Sequence, residues 1–135
     1  MISFDTVCVN AGWGKSEKMN HLFRLWSFKL RELFDATVYL DFFRIAQEDG
    51  TLGHCYGLEC LFRYFSYGLE KDFRENVYSD FERLVLVQYH QGGIYGLEKF
   101  WAFHSFTGFP SGSKARMNVE VSTVCFAGCI HTRTS

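Results

Sequence analysis

Proline is almost absent from this chain: its one copy, Pro110, leaves the first 109 residues with nothing that forbids a helix. Long apolar runs are missing too. No uncharged stretch approaches the roughly 18 residues needed to span a bilayer, and Asp5 stands where a secretory signal would be basic. A cytoplasmic protein without membrane contact is therefore expected. Neither sign of charge is in excess, with 14 Lys and Arg against 15 Asp and Glu. That balance argues against a broad phosphate-gripping surface and confines any nucleic-acid contact to a local site. The cysteines (Cys8, Cys55, Cys60, Cys125, Cys129) form an odd, scattered set, which suits a reducing compartment better than a disulfide framework. Cys125, Cys129 and His131 come nearest to metal-ligand spacing, but three donors fall short of a structural zinc site, so no metal or cofactor is expected. Catalytic apparatus is lacking as well: there is no Cys/His nucleophile pair, phosphate-cradling loop or converging carboxylate pair, and Gly92-Gly93 reads as a turn. The expectation is a binding protein and not an enzyme.

What the chain has in abundance is aromatic side chains, 19% of the sequence with fifteen Phe, within a 47% hydrophobic composition that supports one domain with a real core. It also repeats itself. The tetrapeptide Tyr-Gly-Leu-Glu occurs at Tyr56 to Glu59, Tyr67 to Glu70 and Tyr95 to Glu98. The first and last copies lie 39 residues apart, and sliding Leu22 to Glu59 onto Leu61 to Glu98 matches 16 of 38 positions without a gap. Matched pairs include Arg24/Arg63, Ser27/Ser66, Phe34/Phe73, Tyr39/Tyr78, Phe42/Phe81 and Arg44/Arg83. A third unit follows, with Ser105 and Phe106 in register with Ser66 and Tyr67, and then breaks off.

A period near 40 without strand-like alternation predicts an all-α fold of tandem helical hairpins, a HEAT-like repeat solenoid whose third repeat is incomplete. Leu58, Leu61, Phe62, Phe65, Leu69 and Phe73 recur at steps of three and four, marking a first helix from about Tyr56 to Phe73. Val77, Tyr78, Phe81, Leu84 and Val85 mark the second, with Asn76 as its expected N-cap. The upstream pair is expected from about Met19 to Phe34 and from Val38 to Glu48. Units then start near 19, 56 and 95 in a repeat domain over 19–106, preceded by a divergent, poorly ordered leader over 1–18. Residues 107–135 read as a divergent, disordered tail: Val119 to Phe126 has the composition of a strand, yet a lone strand has nothing to pair with.

One face of the first helices departs from core chemistry. Arg24, Phe28 and Arg31 share a side of one helix, Arg63, Tyr67 and Glu70 the same side of the next, and Ala102 and Phe106 remain in register on the third. Aromatic residues at helical spacing are usually core. Here, however, Leu22, Trp26, Leu30 and Leu33 already supply the core stripe of the first helix, and charges bracket the surplus rings. The expected arrangement is an exposed strip of flat rings with Arg and Glu between them. A ligand for it needs a flat cationic ring, a donor edge for Glu70 and anionic groups for the arginines, requirements that a 7-methylguanosine cap meets.

The runs Met19-Asn20-His21-Leu22-Phe23-Arg24-Leu25-Trp26-Ser27-Phe28, Tyr56 to Lys71 and Tyr95 to Phe103 closely resemble the DM-fifteen repeat region of the La-related protein 1 family, which includes its paralogue 1B. The resemblance covers about Gly14 to Phe106. It implies an RNA-binding module for the 7-methylguanosine cap and first cytidine of messenger RNAs with a 5′-terminal oligopyrimidine tract. Such a module acts in translational repression, in contact with translation or growth-signalling proteins; a monomer is expected. By position, Tyr67 matches a cap-stacking ring and Glu70 the carboxylate that reads the guanine edge, with Phe106 at the second stacking position and Arg63 among the basic residues of the cap site. Arg24 and Phe28 match residues near the first cytidine, and Arg31 a phosphate contact. Phe106 replaces a tyrosine and keeps the ring, while Gly108 stands where the family carries a basic residue. The alternative reading is a helical-repeat interaction scaffold in which cap binding is weakened or lost.

Overall fold

The computed structural model of the chain describes residues 17–125, and every regular element among them is helical. Five helices carry the repeats: α1 (Glu17–Glu32), α2 (Ala36–Thr51), α3 (Tyr56–Lys71), α4 (Glu75–His90) and α5 (Tyr95–Phe106). None of the described helices is long and apolar enough to cross a membrane. α1 pairs with α2 and α3 with α4, while α3 lies at the centre, packed against α1, α2, α4 and α5. The two in-phase Tyr-Gly-Leu-Glu copies open α3 and α5, and the copy at 67 lies eleven residues further along α3, about three turns on.

The stripe read from sequence is the buried face of α3: Leu58, Leu61, Phe62, Phe65 and Leu69 are all core residues. In α1 the stripe differs from expectation. Leu33 falls beyond the helix end and is 79% exposed, whereas Phe23 is 1% exposed and belongs to the core. Phe23 is needed there because its ring lies on the backbone of Gly57, where an added Cβ would come within 2.8 Å of Phe23 Cζ. One period later Phe62 lies on Gly96 in the same way, with 2.6 Å from its Cε1 to an added Cβ. The glycine of the tetrapeptide thus lets successive first helices approach closely. Gln88 caps the second contact by accepting a hydrogen bond from the Gly96 N–H.

Turns repeat with the same period. Gly53 (φ 87°) and Gly92 (φ 90°) occupy the left-handed region that a side chain resists, and they end α2 and α4. At the other turns Phe34 packs on Tyr39, and Phe73 on Tyr78. Asp35 caps α2 by accepting bonds from Thr37 and Val38 N–H at 2.9 and 3.2 Å. The equivalent cap of α4 is Arg74 and not Asn76, which lies exposed inside the first turn. Arg74 makes no side-chain cap bond because its guanidinium is drawn elsewhere, 3.9 Å from the Phe34 ring centroid and 2.9 Å from Asp72 Oδ2. Between units, the Tyr39 hydroxyl donates to Asp80 at 2.6 Å, and its register mate Tyr78 pairs with His104 Nε2 at 2.8 Å.

The segment after α5 differs from the expected disorder over 107–125. Gly108 (φ 70°) ends α5, its N–H donating to the Phe103 carbonyl. Phe109 then packs against Phe73, Tyr78 and His104. A sixth helix, α6, begins at residue 119 and continues to the last described residue, 125. Asn118 caps it by accepting from the Glu120 N–H at 2.8 Å, and the Asn118 N–H donates to Glu82 of α4 at 2.7 Å. Val121 is fully buried and Cys125 nearly so, both as members of the same core. The apolar residues read as strand composition therefore supply a helical face, because α4 and α5 present one more apolar surface to cover. The 39-residue period would start this helix at 114 (75 + 39), so the third unit is irregular, with α5 also reduced to 12 residues from the 16 of α1 and α3. The leader over 1–16 and the tail from 126 lie outside the described residues.

Gly96→Ala should lower stability by about 1–2 kcal/mol in urea unfolding, because overpacking against Phe62 outweighs the roughly 1 kcal/mol gained in helix propensity; an increase would refute the close-contact role. Val121→Ala should cost about 2 kcal/mol, whereas a loose tail would make it neutral. Burial lowers His104 to about 4 from its ordinary 6.5. The unfolded chain therefore takes up a proton that the folded chain refuses, and this contribution is complete above about 6.5 and is lost as the pH falls toward 4. The drop in urea midpoint between about pH 7 and about pH 5 should be smaller in His104→Gln, and an equal drop would assign it to other groups.

Candidate functional site

α1 and α3 lie side by side, and the exposed faces of their last turns form an open cleft of about 320 Å³ lined by Phe28, Arg31, Glu32, Tyr67, Glu70 and Lys71. Four of the seven residues singled out from sequence meet there: Phe28, Arg31, Tyr67 and Glu70. The rings are surface groups, with Phe28 60% and Tyr67 44% exposed, although each sits on a helix whose opposite face is core. Between them lies Arg31, its guanidinium carbon 4.8 Å from the Phe28 centroid and 5.0 Å from that of Tyr67. Nη2 of Arg31 donates to the buried Ser27 Oγ at 2.9 Å, while Nε is buried without a partner. Burial is the main cause that lowers the Arg31 pKa, and the nearby Arg63 acts in the same direction.

The other three predicted residues do not line the cleft. Arg63 lies earlier on α3 and donates from Nε to the Tyr95 hydroxyl at 2.8 Å. Burial opposes its charge, but that hydrogen bond and the field of Tyr95, Cys60 and Glu59 prevail and raise its pKa. Arg24, on the exposed face of α1, pairs through Nη2 with His21 Nδ1 at 2.8 Å. Phe106 is the last residue of α5 and stands 82% exposed, one unit along from Tyr67 in the repeat register.

Several participants were not read from sequence. Lys99 places its ammonium 5.6 Å from the Tyr67 centroid and 5.5 Å from that of Tyr95. Its register mates are His21 and Cys60, so the period carries no signal for a cation there. Glu32 and Lys71 border the cleft at the ends of their helices, where a charged residue ordinarily means only a solvated terminus. Tyr95 was legible only as part of the structural tetrapeptide.

The distribution of charge distinguishes this face. Arginines on the second helices and their entry turn are ion-paired: Arg44 with Asp41 and Glu48, Arg74 with Asp72, Arg83 with Asp80. Among the described residues, Arg24, Arg31, Arg63 and Lys99 form no ion pair with a carboxylate. The ring-bearing face thus holds cations available to an anionic ligand, with exposed π-faces beside them and two carboxylates, Glu32 and Glu70, able to accept from a donor edge. No group of three or more His, Cys, Asp or Glu among the described residues is placed to hold a metal; Cys129 and His131 lie outside them.

The family model of the LARP1 HEAT repeat region matches residues 7–124. The match extends past both ends of the resemblance read over 14–106. It takes in Gly108 and most of the described part of α6, so the segment after Thr107 is not unrelated to the family.

Proposed function

The chain belongs to the LARP1 HEAT repeat region family, and on that premise we propose that it binds the 7-methylguanosine cap and first cytidine of 5′-terminal oligopyrimidine messenger RNAs. It acts in the cytoplasm as a monomer and represses translation by occupying the cap. The observation that supports this reading is the cleft in which the exposed rings of Phe28 and Tyr67 meet Glu70 and Arg31, a cation with no carboxylate partner among the described residues. Tyr67 and Phe106 supply flat surfaces for a cationic base, worth about 1–3 kcal/mol per stacked base. Glu70, one turn from Tyr67, accepts from the two N–H donors of the guanine edge. Arg63, Arg24 and Arg31 neutralise the triphosphate and the first phosphodiester, and Phe28 packs on the cytosine.

A second reading, an interaction scaffold with weakened cap binding, draws on Leu25, Leu33 and Leu40, large apolar residues exposed on the first hairpin. One titration separates the two. A capped oligonucleotide beginning with cytidine should bind saturably, and Tyr67→Ala or Glu70→Ala should weaken it at least about tenfold, the scale of one lost stack or charge-assisted contact. Equal affinity for the uncapped oligonucleotide refutes cap recognition. Recovery of protein partners that survives nuclease treatment, with no cap binding, favours the scaffold.

A further inference from the structure

The slot between Phe28 and Tyr67 is already filled, and by a flat cation. The Arg31 guanidinium lies 4.8 and 5.0 Å from the two ring centroids, within the range at which cation and ring attract. Lys99 approaches the same Tyr67 ring at 5.6 Å from α5, so the first helices on either side of α3, α1 and α5, each lend Tyr67 a cation. Arg31 is parked in this slot without being locked there. Of its five N–H donors, one is bonded to Ser27 and Nε is buried without a partner. No carboxylate among the described residues pairs with it, although Glu32 and Glu70 line the same cleft. Burial, the largest effect, disfavours its charge where it sits, Tyr67 favours it, and the nearby Arg63 again opposes it.

We infer that Arg31 is a resident stand-in for the ligand's ring, a positioning residue that leaves the slot between Phe28 and Tyr67 when a base enters and is recaptured by the phosphates attached to that base. This rests on the cap-binding reading. It adds a selection rule: a flat ring without phosphates must displace Arg31 and offers the displaced guanidinium no new partner, whereas a ring carrying phosphates supplies one. The site thus discriminates against free nucleosides through competition from its own side chain, in addition to the phosphate contacts that Arg31 gains.

The two ligand types should respond to mutation with opposite sign. In titrations of the full chain, Arg31→Ala should tighten cytidine, the nucleoside whose base packs on Phe28, about fivefold to thirtyfold, the fold-change that two exposed cation–π contacts represent. The same variant should weaken the capped, cytidine-starting oligonucleotide by about tenfold through the lost charge-assisted contacts. Arg31→Lys should tighten the nucleoside too while weakening the oligonucleotide less, since an ammonium meets phosphate but lacks the planar fork. Unchanged, weakened or undetected nucleoside binding in Arg31→Ala overturns the inference. A purely structural role would weaken both ligands together. As an independent reading, the Arg31 Nε–H resonance, identified by its absence from Arg31→Lys, should be shifted upfield by the two rings in the free protein. It should return to the ordinary arginine range with capped oligonucleotide bound, and an unmoved resonance likewise overturns the inference. If the wild-type chain binds neither ligand, the cap-binding reading itself fails.

Discussion

The contact on which the rest of this fold depends is an aromatic ring laid on a glycine backbone. Phe23 on Gly57 and Phe62 on Gly96 set how closely α1, α3 and α5 approach, and a single Cβ at either glycine would occupy space the ring already fills. Close approach brings the faces of successive first helices within reach of each other, so that Arg31 of α1 meets Tyr67 of α3, and Arg63 of α3 meets Tyr95 of α5. The same two helix pairs that bury Phe23 and Phe62 on one side present the rings and cations on the other. Spacing on the buried side therefore decides geometry on the exposed side.

The two layers of helices handle charge differently. On the second helices, arginines meet carboxylates of their own helix or turn in exposed pairs such as Arg44 with Asp41 and Glu48, contacts that contribute little to stability. On the first helices the cations meet rings, a serine, a tyrosine hydroxyl and a histidine instead. A surface that leaves its cations without carboxylates and its rings in water gives up stabilisation that both could have gained, and it retains attraction for a ligand that is aromatic and anionic at once. The balanced net charge of −1 conceals this local excess.

Much of the solenoid was legible because one apolar pattern is written twice at a 39-residue offset, and a helix buries the same positions wherever the pattern recurs. The starts of α3 and α5, the core stripe of α3 and the turns at Gly53 and Gly92 all follow from it. Legibility failed where the period stops. Asn76 has the chemistry of a cap, but the register of α4 starts two residues earlier, at Arg74. Val121 and Cys125 lack repeat partners in the alignment, so only the apolar surface left by α4 and α5 shows that they are core. In the candidate site, Phe28, Tyr67 and Glu70 were readable as residues surplus to the core on one helical face. Lys99 was not, since its register mates are His21 and Cys60.

The sequence by itself determined the buried face of α3, how many residues separate one unit from the next, and that Arg24, Phe28 and Arg31, like Arg63, Tyr67 and Glu70, share one side of their helix, because helical periodicity acts through the nearest three or four residues. Tertiary structure alone decided which of those groups touch. Arg31 and Tyr67 are 36 positions apart, Arg63 and Tyr95 are 32 apart, and no local rule sets a distance between them. Their meeting depends on the separation of helix axes, which the Phe-on-glycine contacts set.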